Sequence, residues 1–382
     1  MYDVSVTKCD SYNSDEVKKA LFEALEALGG LGWVKEGMKV AVKANLVSFM
    51  SPDKAATTHP TLLCELVKML VEKGADVVVG DSPGGIYNSV YVNKVYKATE
   101  MYEVEKVGGR LNRDFGQTEV KNPDGKVLKS FIYTSWLDEA DAIINFCKLK
   151  THGMMGMSAA AKNIFGVIPG TLKPEYHFRF PNHDDFARMM VDLDEFFKVR
   201  LCICDAVVGM EGNGPTMGTP RKIGAVIASE SPHKMDLVCA KIIGLTKADV
   251  PTLEAAFERG FIPASTEELS VFGDVDSFVI NDFKNIPAHT SVEFKKDSTK
   301  FFGKMAGFIT GKALRSVPAL KVNECVGCGV CRDICPAKAI KIEKGKAVID
   351  RKLCIRCFCC QEFCPKGAMK VRRTLIARIL NK

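Results

Sequence analysis

The sequence predicts an α/β protein: a largely parallel, doubly wound sheet domain over most of the chain, followed by a small α+β domain organised around cysteines. Three observations predict it. From Val4 to about residue 285, short β-branched or apolar runs alternate with stretches of helical period, the pattern of strands joined by crossover helices. Nine of the fifteen cysteines lie between Cys325 and Cys364, and only Cys9, Cys64, Cys147, Cys202, Cys204 and Cys239 are scattered before them. A composition 47% hydrophobic and 26% charged, over 382 residues, suits two or three folded domains with buried cores.

The elements follow in order. Strands are expected at Lys39 to Ala44, Asp76 to Val79, Asp141 to Phe146, Leu201 to Val208 and Ile223 to Ala228. One helix begins after Ser14, whose hydroxyl can cap it, and ends at Gly29-Gly30; another begins at Pro60, a good first-turn residue, and ends at Gly74. A third, Asp184 to Lys198, spaces Phe186, Met189, Met190, Leu193 and Phe197 for one apolar face. The expected division is an α/β domain over 1–298, an amphipathic linker over 299–319, the cysteine-rich domain over 320–373 and a basic tail over 374–382. The linker is read as a helix packed between domains. No apolar run is long enough to span a bilayer and the N-terminus is polar with mixed charge, so the expected compartment is the cytoplasm.

The net charge of +7 divides unevenly. Residues 320–382 hold 15 Lys and Arg against 5 Asp and Glu, which leaves the rest of the chain slightly acidic. The cysteines in that segment read Cys325-x2-Cys328-x2-Cys331-x3-Cys335-Pro336, and 29 residues later Cys354-x2-Cys357-x2-Cys360-x3-Cys364-Pro365. In this spacing three thiolates hold one face of a [4Fe-4S] cube and the fourth cysteine of each run serves the other cube. Cys325, Cys328, Cys331 and Cys364 are therefore expected to hold cluster 1, and Cys354, Cys357, Cys360 and Cys335 cluster 2. Zinc would leave the third cysteine of each run and the Cys-Pro pairs unexplained. Cys359 breaks the pattern and is read as a packed free thiol. Two clusters of charge about −2 each would offset part of the basic excess. The remainder suits docking to an acidic electron carrier, so nucleic acid is not expected as a partner. Residues 320–373 resemble a bacterial-type two-cluster ferredoxin, which implies electron relay and a redox protein partner.

In the large domain several motifs are missing. No G-x-G-x-x-G lies between a strand and a helix, Gly307-x3-Gly311-Lys312 falls one residue short of a P-loop, and neither a nucleophile elbow nor H-E-x-x-H is present. What remains are polar, glycine-rich segments where strands should end: Lys43-Ala44-Asn45-Leu46, Gly80 to Gly85, Asn145 to His152 and Gly209 to Pro215. Ligands of open α/β sheets bind beyond the carboxyl ends of the strands. The stretch 145–170 is the richest, with Ser158 expected to cap a short helix through Lys162 and Asn163 whose N-terminus, flanked by Lys148, Lys150, His152 and Lys162, suits a small anionic ligand. His152 and Lys162 are candidate proton donors or anion ligands. Lys43, Asn45, Asp81, Lys148, Lys150, Ser158, Asn163 and Glu211 are candidate ligand-binding residues, with Asp81 and Glu211 able to orient a ligand or a further metal or cofactor.

The set VKANLV, GDSPGG, NFCKLKTH, AAAKNIFGVIPG and GMEGNGP is similar to the family known as domain of unknown function 362, whose members are often joined to a two-cluster ferredoxin. A weaker similarity is to lactate racemases that use a nickel-pincer nucleotide; it implies that His152 and Lys162, ten residues apart, sit in a comparable loop, with His177 or His183 in place of a later nickel ligand. The leading expectation is an iron–sulfur redox protein, a candidate oxidoreductase in the sense that its clusters exchange electrons with a ligand in the α/β crevice. The alternatives are an electron-transfer or assembly module for a protein partner and a nickel-pincer isomerase with accessory clusters.

Overall fold

The computed structural model describes residues 2–286 and 317–372, so the expected linker lies mostly, and the basic tail entirely, outside the described residues. The strands are β1 (Val4–Lys8), β2 (Lys39–Lys43), β3 (Asp76–Gly80), β4 (Arg110–Leu111), β5 (Gln117–Lys121), β6 (Ser130–Thr134), β7 (Ala142–His152), β8 (Gly156–Ser158), β9 (Leu201–Glu211), β10 (Thr219–Ser229), β11 (Val271–Phe272), β12 (Val317–Leu320), β13 (Ile340–Glu343), β14 (Lys346–Ile349) and β15 (Met369–Arg372). The main sheet runs β11-β1-β10-β9-β7-β2-β3-β4, with β8 folded back on β7.

The run β9-β7-β2-β3-β4 is parallel, as the alternation of strands and helices requires. Beyond it the sheet turns antiparallel, because residues 212–218 are too few to hold a crossover helix and β10 must return directly beside β9. β1 then pairs antiparallel with β10. Side-chain alternation sorts the strands onto two faces. Ala41, Cys147, Cys204 and Ala225 face one core with the helices Ala160–Ile164, His183–Phe197, Pro232–Ile242 and Pro251–Glu258. Val40, Val42, Ile144 and Ile203 face the other, with the helices Ser14–Glu26, Pro60–Glu72 and Ser89–Ala98. This is the doubly wound arrangement, and the chain leaves β2 toward β3 but leaves β7 toward β9, so the switch point lies between β2 and β7.

Two helix starts differ from expectation by the identity of the cap. Asn13, not Ser14, accepts from Asp15 N and Glu16 N, while the Ser14 hydroxyl donates to Glu65. Ser158 is the last residue of β8 and caps nothing; the helix N-terminus that follows is held by the Asp236 carboxylate, which accepts from Ala160 N and Ala161 N at 2.7 and 3.1 Å. That turn is therefore filled from within and offers no anion site.

The C-terminal module repeats itself. The pair β12–β15 closes it, the hairpin β13–β14 separates the copies, and each cysteine run leads into one short helical turn, Val330–Asp333 or Cys359–Glu362. The repeat extends to the backbone: Gly327 and Gly329 are left-handed at φ of 69° and 82°, and their counterparts Arg356 and Phe358 are left-handed at 61° and 60°. A non-glycine residue there costs on the order of 1 kcal/mol or more. At Phe358 that cost is offset by its ring, which is 3% exposed and packs in the core of the α/β domain.

Candidate functional site

The second repeat is the one that docks. Gln361 Nε2 donates to Asn213 O and Gly214 O, both at 3.1 Å, Thr216 Oγ1 donates to Glu362 O at 3.0 Å, and the Phe363 ring occupies the space a side chain on Gly84 would need. Residues of both parts then line one pocket beyond the carboxyl ends of β2, β3 and β7. Its walls include Lys43, Asn45, Asp81, Ser82, Gly84, Lys150, His152, Ser158, Lys162, Asn163, Lys173 and His177 from the α/β domain, and Cys359, Glu362 and Phe363 from the module. The space between these atoms, including the mouth, is about 590 Å³.

An amide network positions the basic groups. Asn163 Oδ1 accepts from Lys43 Nζ at 2.9 Å and from Asn45 Nδ2 at 2.8 Å, while Asn163 Nδ2 donates to Asn145 Oδ1 at 2.7 Å. Lys150 Nζ donates to Asn45 Oδ1 and Ala56 O, both at 2.7 Å, and Lys173 Nζ to Ser82 O and Ile168 O, both at 2.6 Å. Lys43 pairs with Asp81 at 2.8 Å, both almost fully buried. Lys162 lies over the Phe165 ring at 4.9 Å and has no carboxylate within ion-pair distance among the described residues. Burial lowers the pKa of all four lysines, to about 7 for Lys150 and Lys173.

His152 is a donor here. Its Nδ1 accepts from Met154 N at 3.1 Å and Met155 N at 3.2 Å, which puts the ring proton on Nε2. Nε2 is buried without a partner, and burial, then the Lys162 charge, holds the ring well below its ordinary pKa. The result is a neutral imidazole with a free N–H on the pocket, suited to an oxygen acceptor and unsuited to binding a metal through Nε2. His177, stacked on Phe186 with its pKa pushed down to about 3 by burial, is also neutral.

Of the expected site residues, His152, Lys162, Lys43, Asn45, Asp81, Lys150, Ser158 and Asn163 meet in this pocket. Two do not. Lys148 points to the other side of the sheet, sealed in a 2.8 Å ion pair with Asp205 and bonded to the Tyr12 hydroxyl, because the register of β7 against β9 shifts between Lys148 and Lys150. Glu211 anchors residue 284 instead, accepting from Lys284 N and pairing with Lys284 Nζ at 3.4 Å. His177, named from the sequence only through the racemase resemblance, lines the pocket too; Lys173 was not expected there, since it lies in a segment without a glycine-rich strand end to mark it. Cys359, read as a packed thiol, is buried as expected but lines the pocket.

The structure brings the cysteines of the module close to one another. Cys325, Cys328, Cys331 and Cys364 line one small cavity with Leu320, Ile342, Ala347 and Met369. Burial raises the pKa of Cys360, and so do the neighbouring thiols Cys357, Cys354, Cys335 and Cys331. Ala339 N donates to Cys335 Sγ at 3.3 Å and Ala368 N to Cys364 Sγ at 3.2 Å, the same bond in each repeat. Four sulfurs around a cavity suit a four-iron cube; among the described residues no three His, Cys, Asp or Glu side chains are arranged to hold a single metal ion.

A close approach at Gly166 protects the ion pair of the pocket: a methyl group there would fall on Lys43 Nζ and Asp81 Oδ1. The Gly166→Ala chain is expected to lose about 2–3 kcal/mol of stability, by overpacking, and about 4–12 °C in the thermal midpoint of the α/β domain, measured by calorimetry.

Fold and cysteines together define an iron–sulfur protein, and residues 318–365 match the 4Fe-4S dicluster domain. Residues 40–241 match the domain of unknown function DUF362, and the chain belongs to that family. A thylakoid-associated protein of Synechocystis sp. is 28% identical over 81% of this chain and 99% of its own length. Among solved structures, the lactate racemase apoprotein of Thermoanaerobacterium thermosaccharolyticum matches with a TM-score of 0.39 and 14% identity over 64% of this chain and 58% of its own. A Thermotoga maritima protein gives 0.35 and 16% over 56% and 55%. The chain thus spans less than two thirds of either structure. No helix among the described residues is long and apolar enough to cross a membrane.

Proposed function

We propose that this chain is a redox protein whose clusters exchange electrons with a small, oxygen-rich anion held in the pocket between its two domains. One observation carries the reading: the helical turn inside the second cysteine run, which contains Cys360, is itself a wall of the pocket through its neighbours Cys359 and Glu362. When bound, the clusters supply single electrons; cluster 1 is assigned to Cys325, Cys328, Cys331 and Cys364, and cluster 2 to Cys354, Cys357, Cys360 and Cys335. Lys162 binds the anion, Lys150 and Lys173 add positive charge, and the His152 Nε2–H donates to a second oxygen of the ligand, where charge gathers on reduction. Lys43, Asn45, Asp81 and Asn163 hold these groups in place, and the docked module excludes water. The assignment is tested by anaerobic purification, mass spectrometry of the copurifying small molecule, and cluster oxidation after its addition. His152→Leu and Lys162→Ala chains that bind and turn over this molecule like the parent would sink it.

The pH dependence has two opposite signs. Lys150 and Lys173 have folded pKa values of about 7, below their unfolded value, so between about pH 7 and 10 the unfolded chain carries more protons. Stability of the ligand-free protein should rise with pH over that window and be lost as pH falls toward 7. Anion affinity should do the reverse, weakening up to about tenfold per pH unit above 7 for each lysine the anion requires charged. Parallel thermal and calorimetric titrations read both.

A second reading, a nickel-pincer isomerase, keeps Lys162 as the residue that would carry the cofactor, since it is half-buried and faces the same pocket as His177. Nickel analysis and the intact mass of the Lys162 peptide decide it. The site of action is taken to be the cytoplasm; the thylakoid association of the Synechocystis relative makes cell fractionation the check.

A further inference from the structure

The repeat gives the module two equivalent faces, and among the described residues the α/β domain packs on only one of them. Phe358, Cys359 and Gln361 are buried against the α/β domain. Among the described residues their counterparts 29 residues earlier, Gly329, Val330 and Arg332, make no hydrogen bond or core contact with that domain, and Val330 and Arg332 are exposed. Around them the surface is apolar: Val322 is 55% exposed, Val326 61% and Val330 37%. At its centre is Cys328, the one exposed thiol of the eight assigned cluster ligands.

The rim is basic. Lys346 Nζ donates to Cys325 O at 2.6 Å, Lys366 lines the same cavity as Cys328, and Gly327 packs on Gly345, which brings the exposed Lys344 alongside. Of the nearby acids, Glu324 is shared between Lys321 at 3.0 Å and Lys370 at 3.6 Å, Asp333 is paired with Arg332 at 2.7 Å, and exposed Glu343 stands across the hairpin from Lys346. The surplus charge is positive even after the acids are counted. The apolar centre over a cluster ligand, with an unneutralised basic rim, has the chemistry of a docking site for an acidic protein.

We propose that this face of the first repeat, Val322, Val326 and Val330 around Cys328 with Lys344, Lys346 and Lys366 at its edge, is where a small acidic one-electron carrier protein docks. It rests on the cluster assignment and the relay reading given above, and adds the port of entry. The exchange is one electron, from the reduced carrier to the oxidised cluster held by the first run, or the reverse; no bond is made or broken and no proton moves. The pocket is then reached through the second cluster, with the first facing outward.

The test uses the anaerobically loaded full chain with two acidic probes, a plant-type [2Fe-2S] ferredoxin and a flavodoxin. Calorimetry between oxidised partners reads docking with no electron flow, and stopped-flow mixing of one reduced and one oxidised partner, in both senses, reads transfer. The expected result is binding by at least one probe that weakens tenfold or more as salt rises from about 50 to about 500 mM. Val326→Glu and Lys366→Glu should each weaken it at least tenfold with iron content unchanged, while Phe22→Glu, at an exposed site on the first helix, leaves it as in the parent. Val330→Glu adjoins Cys331; if it loses iron, Val326→Glu and Lys344→Glu decide. Binding of neither probe, or binding insensitive to salt and to Val326→Glu and Lys366→Glu, overturns the proposal. Because no pocket ligand is present, a chain that docks the carrier here yet passes no electron to a ligand would refute the proposed function and leave this port standing.

Discussion

Replacing Gly84 by leucine is expected to separate the cluster module from the pocket while leaving both clusters in place. The Phe363 ring already occupies the volume that any side chain at Gly84 would need, and it does so at the rim of the pocket, between the 81–85 loop and the turn after Cys360. A leucine there must displace the Phe363 ring, and the module is expected to lift with it. Its remaining anchors, Gln361 on Asn213 and Gly214, Thr216 on Glu362, and Phe358 in the sheet-domain core, share one rigid contact and should loosen together. Electron exchange with the pocket ligand should fall about 10²-fold or more, since a displacement of about 1 Å at a reacting site already costs that much. Iron content should remain about eight per chain. Hydrogen exchange at 213–217 and 359–363 should rise, and a Phe363→Ala, Gly84→Leu double variant should recover part of the loss. A chain with normal exchange protection and normal transfer would show that the contact is incidental.

The second large effect is on the clusters themselves. Cys364→Ala removes a residue of the second run, but its sulfur shares a cavity with Cys325, Cys328 and Cys331. Iron should therefore drop from about eight to about four per chain, and the cluster lost should be the outward-facing one. Cys335→Ala should instead remove the cluster next to the pocket. Iron and sulfide analysis gives the stoichiometry, and electron paramagnetic resonance of the reduced variants tells which cluster survives. If each substitution destroyed the cluster of its own run, the crossed assignment would be wrong. Cys359→Ser, by contrast, should keep all the iron, because only Cys360 preserves the spacing of the first run.

Much of the site was legible because its residues sit at strand ends, where side chains must either turn into the core or meet above the sheet. Lys43, Asp81, Lys150 and His152 could be found this way, and Asn163 followed from its place one residue after Lys162. Lys148 could not be sorted by the same rule. It is two residues from Lys150, which should put both on one face, but the register of β7 against β9 shifts between them and turns Lys148 away toward Asp205. The anion site predicted at the Ala160 N-terminus failed for a different reason. Asp236, 76 residues on, fills it, and no local pattern announces a carboxylate arriving from another helix.

By itself the sequence determined what depends on spacing along the chain: two cysteine runs able to hold two clusters, their 29-residue repeat, and the alternation of strand and helix that makes a doubly wound sheet. Those are local facts, set by covalent reach and by the periods of the two secondary structures. Tertiary structure decided which copy of the repeat docks, that Phe358 rather than glycine takes a left-handed position because its ring is buried, and that Cys359 faces His152 and Lys162 across one pocket. It also decided that His152 is a neutral N–H donor, through two backbone amides on Nδ1. These depend on groups far apart in the chain being brought together, and on the removal of water, which shifts a lysine or a histidine only once the fold has closed around it.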